Sequence, residues 1–482
     1  MKRGWLIFGI SLILMLLSLS TSYEGSTDIG DYADAAKYFA GEYPAAIRNS
    51  HSYLYGFVHA PLVALFGSYV PLKLSGLLFL FLIMYSVYWM SGKDEKALWL
   101  LLLSPVVWYA GPWIGQLGIA GLSLLWGFWY LRRFQKQRNM KDVFYGGVIL
   151  GIGIAFWHTL LFFTCILGFC YLIDKRIFEG VAFLFEIGIG LLPLFALDVY
   201  LFALPGYTLL KTLSGTFVIM LGGSVGALHS EETLEWLRIV LVLAVFPVSF
   251  WLLYRTRMFM KHWREGLFLS LSLLVILSNP QLRYTLVLVP IAVLVSYTFI
   301  PARYYRNALL LSGALGLFVS VPYLFQINGS LTPYLGGVEI TGVLEQRDSL
   351  HYRSSWPGHD IAESLRIITI RYPNERFLVG PDADSYQTLA HLALELPIAE
   401  LVSMQDYAYV IENRSSYYEK TIHSTPRISE RRLLTITGAL KANPAVLDIA
   451  SVEYALGIDT PVTAFGFREI VREGRIYLSQ KE

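Results

Sequence analysis

The sequence predicts a polytopic α-helical membrane protein of about 11 spans, followed by a soluble extracytoplasmic α/β domain. Three observations predict it. Of 482 residues, 55% are hydrophobic and 15% charged, with a mean hydropathy of +0.51, a balance that soluble domains do not carry. Apolar runs long enough to cross a bilayer recur through the first two thirds of the chain. From about Asn328 onward those runs stop, and polar, strand-like patterns replace them.

Length places the spans. A helix rising about 1.5 Å per residue needs roughly 20 mostly apolar residues to cross about 30 Å of hydrocarbon. The candidates are residues 5–20, 70–90, 97–110, 114–131, 177–201, 237–254, 265–278, 282–299 and 308–325. Residues 143–173 are too long for one span and short for two. Charge decides that case. Basic clusters fall at Lys2 and Arg3, Lys93 and Lys96, 132–141, Lys175 and Arg176, 255–264, and Arg303 and Arg306. The positive-inside rule puts all of them in the cytoplasm only if 143–173 is a hairpin of two short helices turning near His158. A single pass would carry "RTRMFMKHWR" to the wrong face. The amino terminus is therefore expected in the cytoplasm and the carboxyl terminus outside, in the plasma membrane of a prokaryote or the endoplasmic reticulum of a eukaryote. The first run also reads as a signal peptide, because "SLSTS" offers small residues for cleavage; either way Tyr23 emerges outside.

Residues 1–325 thus form the membrane domain and residues 326–482 the soluble one. In the latter, "RFLVG", "AYVIE", "FREIV" and "RIYLS" read as strands and "HDIAESLRIITIRYP" as an amphipathic helix. Cys165 and Cys170 share one apolar run, with neither a disulfide framework nor metal-ligand spacing. The net charge of +2 says little about partners, and no nucleic acid is expected.

Chemistry-bearing residues gather in the outer loops. The first, about 22–69, holds "STDIGDYADAAKY", with Asp28, Asp31 and Asp34 three residues apart. A helix starting near Gly30 puts Asp31, Asp34, Tyr38 and Glu42 on one stripe. Tyr32, Ala36, Phe39 and Tyr43 fall on another, the pattern of a helix lying in the interface with its apolar side down. Gly41 and Pro44 end it. Arg48, His51 and His59 follow. Gln116 and Trp113 mark a later tip, His158 the hairpin turn, and Lys211 lies in the loop after residue 202. "SNPQLRY" sets Asn279, Arg283 and Tyr284 at another outer helix start. Each has an ordinary structural account. Asp28 suits an N-cap and Asp31 the N3 position. Arg283 suits a side chain snorkelling to the interface as well as a holder of phosphate. Trp113 and the loop tyrosines suit an aromatic belt, the histidines polar surface, and Asn328 and Asn413 head sequons that recur by chance.

The motifs also resemble a known family. "TDIGDYADAAKYFAGEYP" is similar to the first-loop acidic pattern of the GT-C class of integral-membrane glycosyltransferases. "HAPLVALFG" is similar to the start of that family's next membrane segment, and "NPQLRYTLVLVP" to its late Arg-Tyr element. "TDIGDY" is especially like the loop of mannosyltransferases that use dolichyl-phosphate mannose. The chain departs from a strict Asp-x-Asp, having Asp28-x-x-Asp31.

The resemblance implies transfer of a sugar, hexosyl or mannosyl, from a polyprenyl-phosphate donor to a lipid, glycan or protein acceptor outside. Such transfer needs a general base for the acceptor hydroxyl, for which Asp31 stands first and Asp28 second. It also needs cations at the phosphate leaving group, for which Arg283 stands first with Arg48 and Lys211 in support. Tyr32, His51, His59, Gln116, His158, Asn279 and Tyr284 are the expected substrate contacts. A divalent Mg or Mn, if used, would sit on Asp28 and Asp31. Two other classes compete: a transporter or flippase for a lipid-linked or anionic substrate, and a non-enzymatic receptor or assembly protein. Transporters favour mid-span ionisable residues and internal repeats. Glu186 and Asp198 are the exceptions in otherwise uncharged spans, and no repeat is seen.

Overall fold

The computed structural model describes residues 8–13, 29–41, 53–66, 70–111, 114–172, 177–202, 204–210, 213, 262–278, 282–298, 300, 302–324, 334–335, 338–339, 357–380, 389, 396, 398, 400–404, 407 and 452–482. It divides into two compact units. One comprises Met1–Glu24, Lys73–Pro193 and Thr216–Asp348; the other comprises Gly25–Leu72, Leu194–Gly215 and Ser349–Glu482.

The helices, in chain order, are α1 (Ile29–Ala40), α2 (Tyr53–Phe66), α3 (Val70–Met90), α4 (Glu95–Leu102), α5 (Pro105–Ala110), α6 (Leu117–Gln137), α7 (Met140–Phe156), α8 (Leu160–Leu172) and α9 (Ile177–Phe202). After them come α10 (Trp263–Leu277), a 3-10 helix (Leu282–Val287), α11 (Val289–Ser296), α12 (Ala302–Leu324) and α13 (Pro357–Arg371). Among the described residues, α3 and the Ile177–Leu201 stretch of α9 are long and apolar enough to cross a membrane. The expected spans at 5–20 and 237–254 lie largely or wholly outside the described residues.

In the first unit α3 and α6 run side by side in the same direction. Gly118 of α6 meets Phe79 and Gly76 of α3. Further along, Trp126 Nε1 donates to Ser86 Oγ at 3.1 Å, and Trp89 stacks on Trp126 at 5.6 Å. Helix α6 ends at Arg138 in the left-handed conformation. Asn139 then caps α7 by accepting from Lys141 N, and α7 returns antiparallel along α6. Residues 143–173 do form two helices: α7 gives way to α8 across Trp157–Thr159, beside His158.

Glycines let α7 lie backbone to backbone on α9. A Cβ at Gly151 would stand 2.3 Å from the Ile187 carbonyl oxygen, and one at Gly190 would stand 2.2 Å from that of Val148. Small residues at such crossings give apolar helices the dispersion contact they lack when lipid is the alternative solvent.

Two expected spans depart from simple helices. Residues 97–110 break at Ser104 and Pro105 into α4 and α5, because a proline lacks the N–H to continue α4 and excludes αR from the residue before it. Residues 282–299 begin as the 3-10 turn before α11.

At the far end of α6, Arg133 pairs with Asp142 and Arg132 with Glu265, each at 3.3 Å. Both carboxylates are buried. Arg133→Ala leaves Asp142 buried without its cation. It should cost about 2 kcal/mol, less than a wholly buried pair because Arg133 keeps contact with water; thermal unfolding of the purified protein measures it.

In the second unit α1 and α2 pack against each other. Beyond the short antiparallel pair β1 (Tyr334–Leu335) and β2 (Val338–Glu339) of the first unit, carboxyl-terminal residues build a five-stranded mixed sheet, in the order β4 (Glu400–Ser403), β3 (Arg376–Gly380), β5 (Tyr454–Ile458), β7 (Ile476–Lys481) and β6 (Phe467–Glu473). Strand β3 is parallel to β4 and β5, while β7 is antiparallel to β5 and β6. Alternation sorts the side chains. Phe377 and Val379 join Ile361, Leu365 and Ile368 of α13 on one face, and Leu378, Val402 and Phe467 fill the other. The expected strands "RFLVG", "FREIV" and "RIYLS" are present, and "AYVIE" lies outside the described residues.

Candidate functional site

The register of α3 and α6 brings polar side chains to one end of the first unit. With Gly118 beside Gly76, the amino terminus of α6 stands level with the first turns of α3. Lys73 lies there, 1% exposed. It heads the inner stripe of α3, with Leu77, Leu80, Met84 and Val87 buried below it, while Leu74, Leu78, Tyr85 and Trp89 face out. Gln116, 3% exposed, opens α6 without capping it.

The 3-10 helix reaches the same end. Its Leu286 and Val287 rest on Gly121, one turn into α6, which sets Arg283 and Tyr284 further out. Arg283 is 8% exposed and lies 5.2 Å over the Tyr284 ring. Tyr284 in turn meets Trp157 at 5.8 Å, so the α7–α8 turn with buried His158 belongs to this end too. Two buried cations, a buried carboxamide and a buried histidine thus collect where α6 starts. Lys73 and Arg283 hold their charges largely out of water, and a cation so placed attracts an anionic group more strongly than one in bulk solvent.

Four of the expected contacts (Gln116, His158, Arg283, Tyr284) share this end. Lys73 was not anticipated, and its signal was present: one lysine in the apolar "VPLKLSGLLFLFL". Asp28, Arg48, His51, Lys211 and Asn279 lie outside the described residues.

In the second unit, the apolar face of α1 meets protein. It was expected to lie on lipid. Tyr32, Ala35 and Ala36 are buried because Gly56 of α2 lets the helices close, with Ala35 Cβ where a side chain at 56 would begin. Tyr32 meets Tyr55 at 5.1 Å, and Phe39 meets Phe57 at 5.3 Å. Asp31 falls within the first turn of α1 by its position in the chain, and its side chain lies outside what the structure describes. Gly41, at φ 83°, follows the last turn. No cluster of three or more metal-ligating side chains occurs among the described residues.

His59 sits on α2 with 4% exposure, its ring 4.3 Å from that of Tyr55. Nδ1 donates to the Tyr55 carbonyl at 2.7 Å, which leaves the lone pair on Nε2. Burial lowers its pKa from 6.5, outweighing the opposing effect of that hydrogen bond. The folded protein therefore holds His59 neutral while the unfolded chain protonates it. Stability should be full above about pH 6.5 and fall as pH drops through the lowered value. His59→Gln should flatten that dependence in thermal unfolding measured from pH 8 to pH 5.

No family model matches the sequence, and no curated protein matches it. By structure the chain is similar to ArnT from Cupriavidus metallidurans bound to undecaprenyl phosphate, at 13% identity. The match covers 99% of this chain and 98% of that one with a TM-score of 0.57. The apo state of the same protein matches at 13% identity over the same shares, with a TM-score of 0.54. At this identity the likeness is one of fold.

Proposed function

We propose that this chain, which has the fold of the GT-C class of integral-membrane glycosyltransferases, moves a sugar from a polyprenyl-phosphate donor to an acceptor on the extracytoplasmic face. The observation that carries the reading is the pair of buried cations, Lys73 and Arg283, at the end of the bundle where α6 begins. Polyprenyl-phosphate sugars hold their reacting carbon at headgroup depth, beside a phosphate that gains charge as the bond breaks. Fixed cations in a water-poor site stabilise that charge most as it develops. The structure of ArnT bound to undecaprenyl phosphate supports a lipid of this class. Asp31, at the start of α1, takes the acceptor's proton as the new bond forms. Asp28 stands as its alternative, and the two would hold a divalent metal if one is used. The buried Lys73 and Arg283 favour an enzyme over a receptor, since a docking surface needs its charges exposed.

The test uses the purified full chain in nanodiscs with radiolabelled undecaprenyl-phosphate glucose, mannose and arabinose, and a membrane lipid extract as acceptor. Transfer of label from one of them is expected. Arg283→Ala and Lys73→Ala should each lower kcat/KM by about 10²-fold or more. Wild-type rates in both variants would remove the cationic end from the reaction.

A further inference from the structure

We infer that Gln116 is a specificity residue, its side-chain carbonyl accepting a hydrogen bond from a hydroxyl of the donor's sugar; this rests on the donor class proposed above. The residue is 3% exposed, and its Oε1, shut away from water, has no hydrogen-bond partner. Folded proteins leave few polar atoms in that state, because each forfeits its bonds to water with nothing in return. A site that binds hydroxyls is where such an atom is retained, since the ligand supplies the missing hydrogen.

The position limits which ligand can supply it. Gln116 immediately precedes α6, whose first intrahelical bond runs from Ala120 N to the Gln116 carbonyl oxygen. The N–H groups of Leu117, Gly118 and Ile119 therefore lie ahead of the helix's own acceptors, at its positive end. An anionic headgroup is favoured there. The bare carrier is a phosphate monoester, mostly a dianion above its second pKa of about 6, and offers Oε1 almost no hydrogen. The sugar ester is a diester whose sugar hydroxyls can donate. The two lipids also differ in phosphate charge, which Gln116 does not sense, so the change on replacing Gln116 isolates the hydrogen bond. The tight seating of Gly118 on Phe79 and Gly76 holds the α6 start in place, so the carboxamide is presented from a rigid turn.

The experiment measures affinities of the full chain in nanodiscs for undecaprenyl phosphate and for its glucose, mannose, galactose and arabinose esters. Wild type is expected to bind at least one sugar ester more than tenfold tighter than undecaprenyl phosphate. Gln116→Met keeps the length of the side chain and removes the acceptor. It should erase about tenfold of that preference while leaving affinity for undecaprenyl phosphate unchanged. The melting temperature of ligand-free Gln116→Met should equal or exceed that of wild type, because a partnerless buried oxygen has gone. Gln116→Ala removes the same atom without adding bulk and must behave alike in the binding assay. A full sugar preference in either folded variant overturns the assignment, as does a wild type that binds all the lipids equally. A wild type that binds none of them overturns the donor reading beneath it.

Discussion

Asp31→Asn should abolish sugar transfer, lowering kcat by about 10²–10⁴-fold with little change in folding. Asparagine keeps the shape and length of the side chain at the start of α1 but cannot accept a proton. Ile29–Ala40 should still form, because its hold on the chain comes from elsewhere: Tyr32, Ala35 and Ala36 buried and the close contact with Gly56. Unchanged thermal unfolding alongside lost turnover is the expected pair of readings. A parallel Asp28→Asn variant separates the two carboxylates, since only the base gives the full loss. Full activity in Asp31→Asn would assign the base to another residue.

Gly151→Leu should prevent the first unit from assembling. Its Cβ would start 2.3 Å from the Ile187 carbonyl oxygen and 2.8 Å from Gly190 Cα, and both atoms are backbone, which no rotamer change can clear. Separating α7 from α9 to make room also opens the contact of Gly147 with Glu186. The cost should be about 3 kcal/mol or more, read as loss of the monodisperse protein in detergent. Gly188→Ala is the control. Nothing lies within 4 Å of a Cβ there, so the variant should fold as wild type or gain about 1 kcal/mol from helix propensity.

Connectivity was the legible part of the fold. Arg132 to Lys141 and the basic run before Trp263 forced a turn near His158, and that turn stands between α7 and α8. Strands β3, β6 and β7 are legible as the short strand-like runs "RFLVG", "FREIV" and "RIYLS". Pro105 marks the break at Ser104, inside an apolar run whose length alone favours one continuous helix. Of the site, Arg283 and Gln116 were visible as polar residues at helix starts. Lys73 was hidden by its neighbours, because one lysine near the end of a span reads as snorkelling.

The sequence by itself determined the alternation of apolar helix and polar turn and three strands of the carboxyl-terminal sheet. These depend on composition and period, which are local properties. The tertiary structure alone decided which face of each helix meets protein. In a segment apolar on every side, such as "LLFLFLIMYSVYW", periodicity carries no direction. The close contacts at Gly118 against Phe79 and Gly76 choose the face that α3 turns to α6, those at Gly151 and Gly190 the faces of α7 and α9, and Gly56 the face of α1 that meets α2. The burial that makes Lys73, Gln116 and Arg283 chemically distinctive is set by neighbours far away in the chain, and no window of residues around them contains it.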